Sequence, residues 1–207
     1  MSFLNNLDWR NAEKNFDPTK KVSDNDLAKI LHAIRMAPSS WGVQPYHIFV
    51  IGDQTTKLKL KGKGYNQQQY QDSSHVLVFC GRNDLASRVD KYFEIASNGD
   101  PIQRKSMEAY EKMMRGSMES KNPEEGMNWA YRQTYLALGF GLAACAELKI
   151  DACPMEGFDP SGFAEILKLP SDIKAVATMS IGYRKELPHS AKIRFPEDDL
   201  FTKIKNT

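Results

Sequence analysis

Residues Asn122–Leu148, NPEEGMNWAYRQTYLALGFGLAACAEL, decide how the rest of the chain is read. Asn122 is a helix-capping residue, Pro123 suits a first turn, and Glu124 and Glu125 match the positive end of the helix that follows. From Tyr135 onward the stretch is apolar on nearly every face, which predicts a central buried helix over 123–148. Gly139, Gly141, Ala143 and Ala144 would let another backbone approach closely. The run contains Glu147 and falls short of the ~20 apolar residues of a membrane span, so it predicts a core helix and no membrane partner.

Upstream, Ser23 and the acids Asp24 and Asp26 precede Leu27, Ile30, Leu31 and Ile34, a helical period that predicts an amphipathic helix over 24–36, stopped by Pro38. His47–Ile51 (HIFVI) and Val76–Cys80 (VLVFC) are continuous apolar runs, as expected of strands covered on both faces. Short helices are expected over 53–60 and 65–72, and longer ones over 84–97 and 101–119. Downstream, Ala152–Met155 is short and apolar, a helix is expected over 160–168, and Ala175–Ile181 is a third strand. The tail from Pro188 is polar with a final extended piece. No repeat, linker or low-complexity tract divides the chain, so residues 1–207 form one α+β unit.

Composition excludes several classes of function. The 207 residues carry 28 basic and 26 acidic side chains, a net charge of +2, and 41% are hydrophobic. That balance points to a globular protein whose main partner is neither nucleic acid nor membrane. Cys80, Cys145 and Cys153 are an odd count set in apolar runs, and the N-terminus lacks a secretory pattern, so a cytoplasmic protein with reduced thiols is expected. His32, His47, His75 and His189 are scattered, and no CxxC or HExxH occurs, so no metal site is expected. Nucleophile-elbow, phosphate-loop and dinucleotide fingerprints are absent. The run Lys57-x-Lys59-x-Lys61-x-Lys63 reads as a solvated face, with phosphate contact in a polyanion binder as the alternative.

Four short segments remain. Arg10-Asn11-Ala12-Glu13-Lys14 places two cations at i, i+4. Pro38-Ser39-Ser40, followed by Trp41, Gly42 and then Gln44-Pro45, is a loop rich in donors. Pro154-Met155-Glu156-Gly157 follows an apolar run, and its glycine permits close backbone approach. Lys192-x-Arg194 is a basic pair near the end. Each alone also reads as ordinary surface or turn.

In this order and at these separations, the four segments resemble the FMN-dependent nitroreductase family, and the resemblance spans Arg10 to Arg194. Asn66, ahead of the Asp72–His75 segment, and the long central helix agree with it. The resemblance implies an intertwined homodimer, with a central mixed sheet flanked by helices and FMN at the subunit interface. It assigns Arg10, Lys192 and Arg194 to the FMN phosphate, with Asn11 and Ala12 in the same segment. Lys14, Asn66 and Gln69 fall at the flavin pyrimidine edge. Pro154, Met155, Glu156 and Gly157 pack against the flavin, the Glu-Gly amides addressing its N5/O4 side. Pro38, Ser39, Ser40 and Gly42 come from the partner subunit. Trp41 and Tyr65 fall at the substrate rim, where ordinary packing is the competing reading.

The implied activity is ping-pong transfer of hydride from NADH or NADPH through flavin N5 to nitroaromatic, quinonoid or similar flat acceptors. No protein acid or base is assigned. A dihydropteridine reductase on the same scaffold, or a flavin-binding protein with little turnover, are the alternatives. Four positions depart from the family pattern: Ala12 in place of Ser, Gly42 in place of Asn, Gln69 in place of a second Lys, and Trp41 in place of a small residue. The first two each remove a polar contact. The third removes a charge, which should lower the flavin potential.

Overall fold

The computed structural model describes residues 2–187 and 191–204. Four strands, β1 (Tyr46–Ile51), β2 (His75–Arg82), β3 (Asp151–Met155) and β4 (Ile173–Gly182), form one sheet in the order β1-β2-β4-β3. Every strand pair is antiparallel. The expected mixed sheet is thus corrected: its parallel component is a single bridge, Ala12–Ala152, at the β3 edge.

The helices are α1 (Phe3–Trp9), α2 (Asp24–Arg35), α3 (Gln54–Lys63), α4 (Gln68–Asp72), α5 (Leu85–Ala96), α6 (Pro101–Ser106), α7 (Glu108–Glu119), α8 (Pro123–Glu147), α9 (Pro160–Leu167) and α10 (Glu197–Leu200). Alternation along the sheet divides two cores. Leu77, Phe79, Ala177, Met179 and Ile181 face Ile30 and Ile34 of α2 and Ala137 and Leu138 of α8. Val76, Val78, Cys80, Cys153 and Met155 face Leu60, Tyr70 and Phe163 of α3, α4 and α9. A third cluster joins Leu85, Val89 and Phe93 of α5 to Met114 and Met118 of α7 and Trp129 of α8.

Helix α8 begins with a complete capping box: Asn122 Oδ1 accepts from the Glu124 and Glu125 amides, and Glu125 accepts from the Asn122 amide. At Gly141 a Cβ would lie 3.1 Å from Ile34 Cγ1 and Met179 Cε, so side chains of α2 and β4, not another backbone, fill the space beside it. Gly139 meets nothing within 4 Å. It belongs to an outer face of α8 where Tyr135, Leu136 and Phe140 are 38%, 44% and 41% exposed. The helix is therefore buried on one side of the single chain, not all round.

Three further expectations change. β1 is an edge strand with His47 and Val50 exposed, although its apolar run suggested cover on both faces. The helix expected over 101–119 breaks at Met107 into α6 and α7. The basic run of α3 is not one face, because a spacing of two turns successive side chains to opposite sides of a helix. Lys57 is buried with Nζ donating to Ser73 O at 2.5 Å, Lys61 bonds Gln68 and Gln71, and Lys63 approaches Asp159. All three cysteines are buried free thiols, as expected. No described helix is long and apolar enough to cross a membrane.

Candidate functional site

The chain after α1 runs along the β3 edge, where the Glu13 amide donates to Ala152 O at 3.2 Å. The C-terminal segment crosses the same place. Lys192 Nζ donates to the last carbonyls of α1, Leu7 O at 2.6 Å and Asp8 O at 3.1 Å. Between the two lies a cavity of about 440 Å³ lined by Arg10, Asn11, Ala12, Lys14, Lys192 and Arg194, with Glu13, Asn15 and Glu186 among its other walls. Two basic segments some 180 residues apart in sequence thus meet, as expected.

The cations are crowded. Burial and the Arg194 guanidinium lower the pKa of Arg10. Burial, Arg10 and Arg194 together lower that of Lys192. Among the described residues none of the three forms an ion pair. Like charges gathered without a direct ion pair suit an anion, and Arg can address a phosphate with two bonds at once.

β3 connects this cavity to the second group of candidates. The Cys153 thiol donates to Pro154 O and lies within electrostatic reach of Gln69, Lys14 and Arg10; burial outweighs them and pushes the thiol up to about 11. Gln69 is itself buried. At the strand end, Tyr135 Oη donates to Glu156 Oε1 at 2.5 Å, and Gln67 Nε2 donates to Gly157 O at 2.6 Å. The Tyr65 ring stands beside Gly157, 3.7 Å from where a Cβ would be. Tyr65 and Asn66 both hold positive φ, 52° and 56°. Consecutive left-handed residues without glycine are strained, and Gln67 clamps that turn to the strand end.

Pro38, Ser39, Ser40, Trp41 and Gly42 do not line the cavity in the single chain. The Ser40 amide donates to Gln133 Oε1 at 2.8 Å, Gly42 sits against Tyr92, and the Trp41 ring packs on Tyr110 with centroids 5.8 Å apart. Trp41 therefore has a packing role in its own chain, among the aromatics of α5 and α7.

Four residues that the sequence did not single out for a role, Glu13, Arg184, Asp151 and Trp9, form one cluster, of which Glu13 lines the cavity. Glu13 is buried, 6% exposed, and its Oε1 accepts from the Lys14 and Asn15 amides at 2.9 and 2.8 Å. Arg184 Nε lies 4.0 Å from Glu13 Oε2 and donates to Asp151 Oδ1 at 2.7 Å. The Arg184 guanidinium also stacks on Trp9, 4.4 Å from the ring centroid. An acid between two basic residues looks like surface in sequence, and its burial depends on an arginine 171 positions away. Among the described residues no three His, Cys, Asp or Glu side chains group to hold a metal ion; His189 lies outside them.

The sequence profile of the Nitroreductase family matches residues 7–183. A putative NAD(P)H nitroreductase of Staphylococcus epidermidis is 33% identical over 206 residues, covering 95% of this chain and 94% of that protein. Among solved structures, a putative NAD(P)H:FMN oxidoreductase of Staphylococcus epidermidis superposes with a TM-score of 0.87 at 22% identity, covering 98% of this chain and 96% of that one. A putative nitroreductase of Exiguobacterium sibiricum in complex with FMN gives 0.86 at 21%, covering 99% and 98%.

Proposed function

The chain belongs to the nitroreductase family, and from that premise we propose that it is a cytoplasmic, FMN-dependent NAD(P)H oxidoreductase, working as a homodimer on small flat electron-poor acceptors such as nitroaromatics and quinones. The observation that carries this reading is the convergence of Arg10, Lys192 and Arg194 on one cavity, with no ion pair to any of the three among the described residues. The fit to a phosphate monoester is chemical: a dianion relieves the repulsion that the three cations otherwise bear.

In this reading Arg10, Lys192 and Arg194 hold the FMN phosphate, beside the Asn11-Ala12 backbone. Lys14, Asn66 and Gln69 attend the pyrimidine edge, and Pro154, Met155, Glu156 and Gly157 line the ring. FMN, when bound, supplies the two-electron chemistry that the side chains of this protein lack. Lys14 provides a fixed positive charge where negative charge develops on reduction, and a preorganised charge is worth more there than in water. The clamp from Gln67 to Gly157 keeps the strand end and the Tyr65–Asn66 turn in one geometry. Gly157 leaves the flavin's neighbourhood free of a side chain.

The homodimer is supported by the outer face of α8. Tyr135, Leu136, Gly139, Phe140 and Ala143 form with Phe3 an apolar surface that a monomer would leave wet. A two-fold partner covers it with the same face, and Pro38, Ser39, Ser40, Trp41 and Gly42 then belong to the partner subunit's site. One open pocket serving donor and acceptor in turn gives ping-pong kinetics. Initial rates with NADH or NADPH varied against a quinone, a nitroaromatic and a pteridine test this. Parallel double-reciprocal lines are expected, and intersecting lines would contradict it.

A further inference from the structure

The cavity floor contains a charged residue whose position neither the fold nor the phosphate site requires. The Glu13 carboxylate is 7% exposed, so its charge is removed from water. Burying it is unfavourable unless it is paired and hydrogen-bonded. It is both. Oε1 takes the Lys14 and Asn15 amides, neither of which is in a helix or strand ladder, and Oε2 faces Arg184 at 4.0 Å. Arg184 is in turn fixed twice, by Asp151 (3% exposed) and by the Trp9 face. The Arg184 amide also donates to Asp151 Oδ2 at 2.7 Å. On its other side the Glu13 amide is tied to Ala152 O of β3. Glu13 is therefore held between the sheet edge and the Arg184–Asp151 pair, and it gives that rigidity to the two residues that follow. The next side chain is Lys14, exposed on the cavity wall.

We infer that Glu13 is a positioning residue: its carboxylate oxygen locks the main chain of Lys14 and Asn15, so that the Lys14 ammonium is presented at a fixed place in the cavity. Arg184 and Asp151 hold the carboxylate for that task. The inference rests on the flavin reading only for what Lys14 meets. The locking itself is a property of the protein without cofactor.

Five variants test it: Glu13→Ala, Glu13→Gln, Lys14→Met, and each Glu13 substitution combined with Lys14→Met. Glutamine keeps an acceptor oxygen in the same place, whereas alanine removes it. In the cofactor-free protein, hydrogen exchange at the Lys14 and Asn15 amides should rise at least ~10-fold in Glu13→Ala and stay within ~2-fold in Glu13→Gln. FMN affinity, followed by fluorescence quenching, should fall about 10-fold in Glu13→Ala but less than about 2-fold when Lys14 is already methionine, since residues that act together do not add. Should Glu13→Ala not fold, Glu13→Leu fills the space without an acceptor and takes its place in the cycle. Unchanged exchange in the alanine variant, equal damage by glutamine and alanine, or equal losses of affinity with and without Lys14 would each overturn the inference. Protected amides in a wild-type protein that binds no FMN would leave the locking intact and overturn the flavin reading.

Discussion

Arg10 stands at the point where stability and binding pull apart. Its guanidinium is half-buried beside Arg194, and burial and that neighbour both disfavour its charge. Arg10→Met should therefore stabilise the cofactor-free protein while weakening FMN binding by ~1.5–3 kcal/mol, the worth of charge-assisted hydrogen bonds. Thermal unfolding of the apoprotein and an FMN titration of the same variant check the two signs. Lys57 makes the second case. Desolvation pushes its pKa from the ordinary 10.5 down to about 8. Below pH 8 it is protonated whether folded or unfolded, and the burial cost is borne in full. Between about 8 and 10.5 the unfolded chain binds more protons, so stability attributable to Lys57 rises with pH. Denaturation at pH 7 and pH 10 should show wild type gaining on Lys57→Met, which has no such titration.

The elements show which signals in the sequence were local. The start of α8 was legible because a cap is written in adjacent residues, and Asn122→Ala should cost about 1 kcal/mol in chemical denaturation. The alternation within β2 sent odd and even residues to separate cores, while in β4 the register shift opposite Phe79 and Cys80 puts Ala175 in one core and Ala177 in the other; the strand positions followed from their apolar runs. The break at Met107 was not legible, since neither glycine nor proline marks it; Arg104 and Glu111 pair across it, and the Arg115–Asp90 pair that ties α7 to α5 links residues 25 positions apart. In the same way, the basic ends of the cavity were visible as two short motifs, whereas Glu13, Asp151 and Arg184 acquire meaning only once β3 and β4 bring them side by side. The Gln67 clamp on Gly157 escaped notice for that reason too.

At the scale of the whole molecule, the apolar outer face of α8 and the uncovered edge of β1 are both surfaces that a single chain leaves unsatisfied. Phe140→Asp places a charge in the middle of the proposed interface. Analytical ultracentrifugation should show a shift from dimer toward monomer, and FMN affinity should fall with it, because in the proposed dimer the Pro38–Gly42 segment reaches the cavity only from the partner subunit. A variant that turned monomeric yet kept full affinity would remove that segment from the site. The central claim, a flavin enzyme reduced by a nicotinamide donor, has a more direct test. The visible spectrum of the purified protein, supplied with FMN, is recorded before and after NADH or NADPH is added without oxygen. A yellow protein is expected, its flavin absorbance bleaching within the first turnovers with at least one of the two donors. A protein that stays colourless after FMN is supplied, or a yellow one that neither donor bleaches, would contradict it.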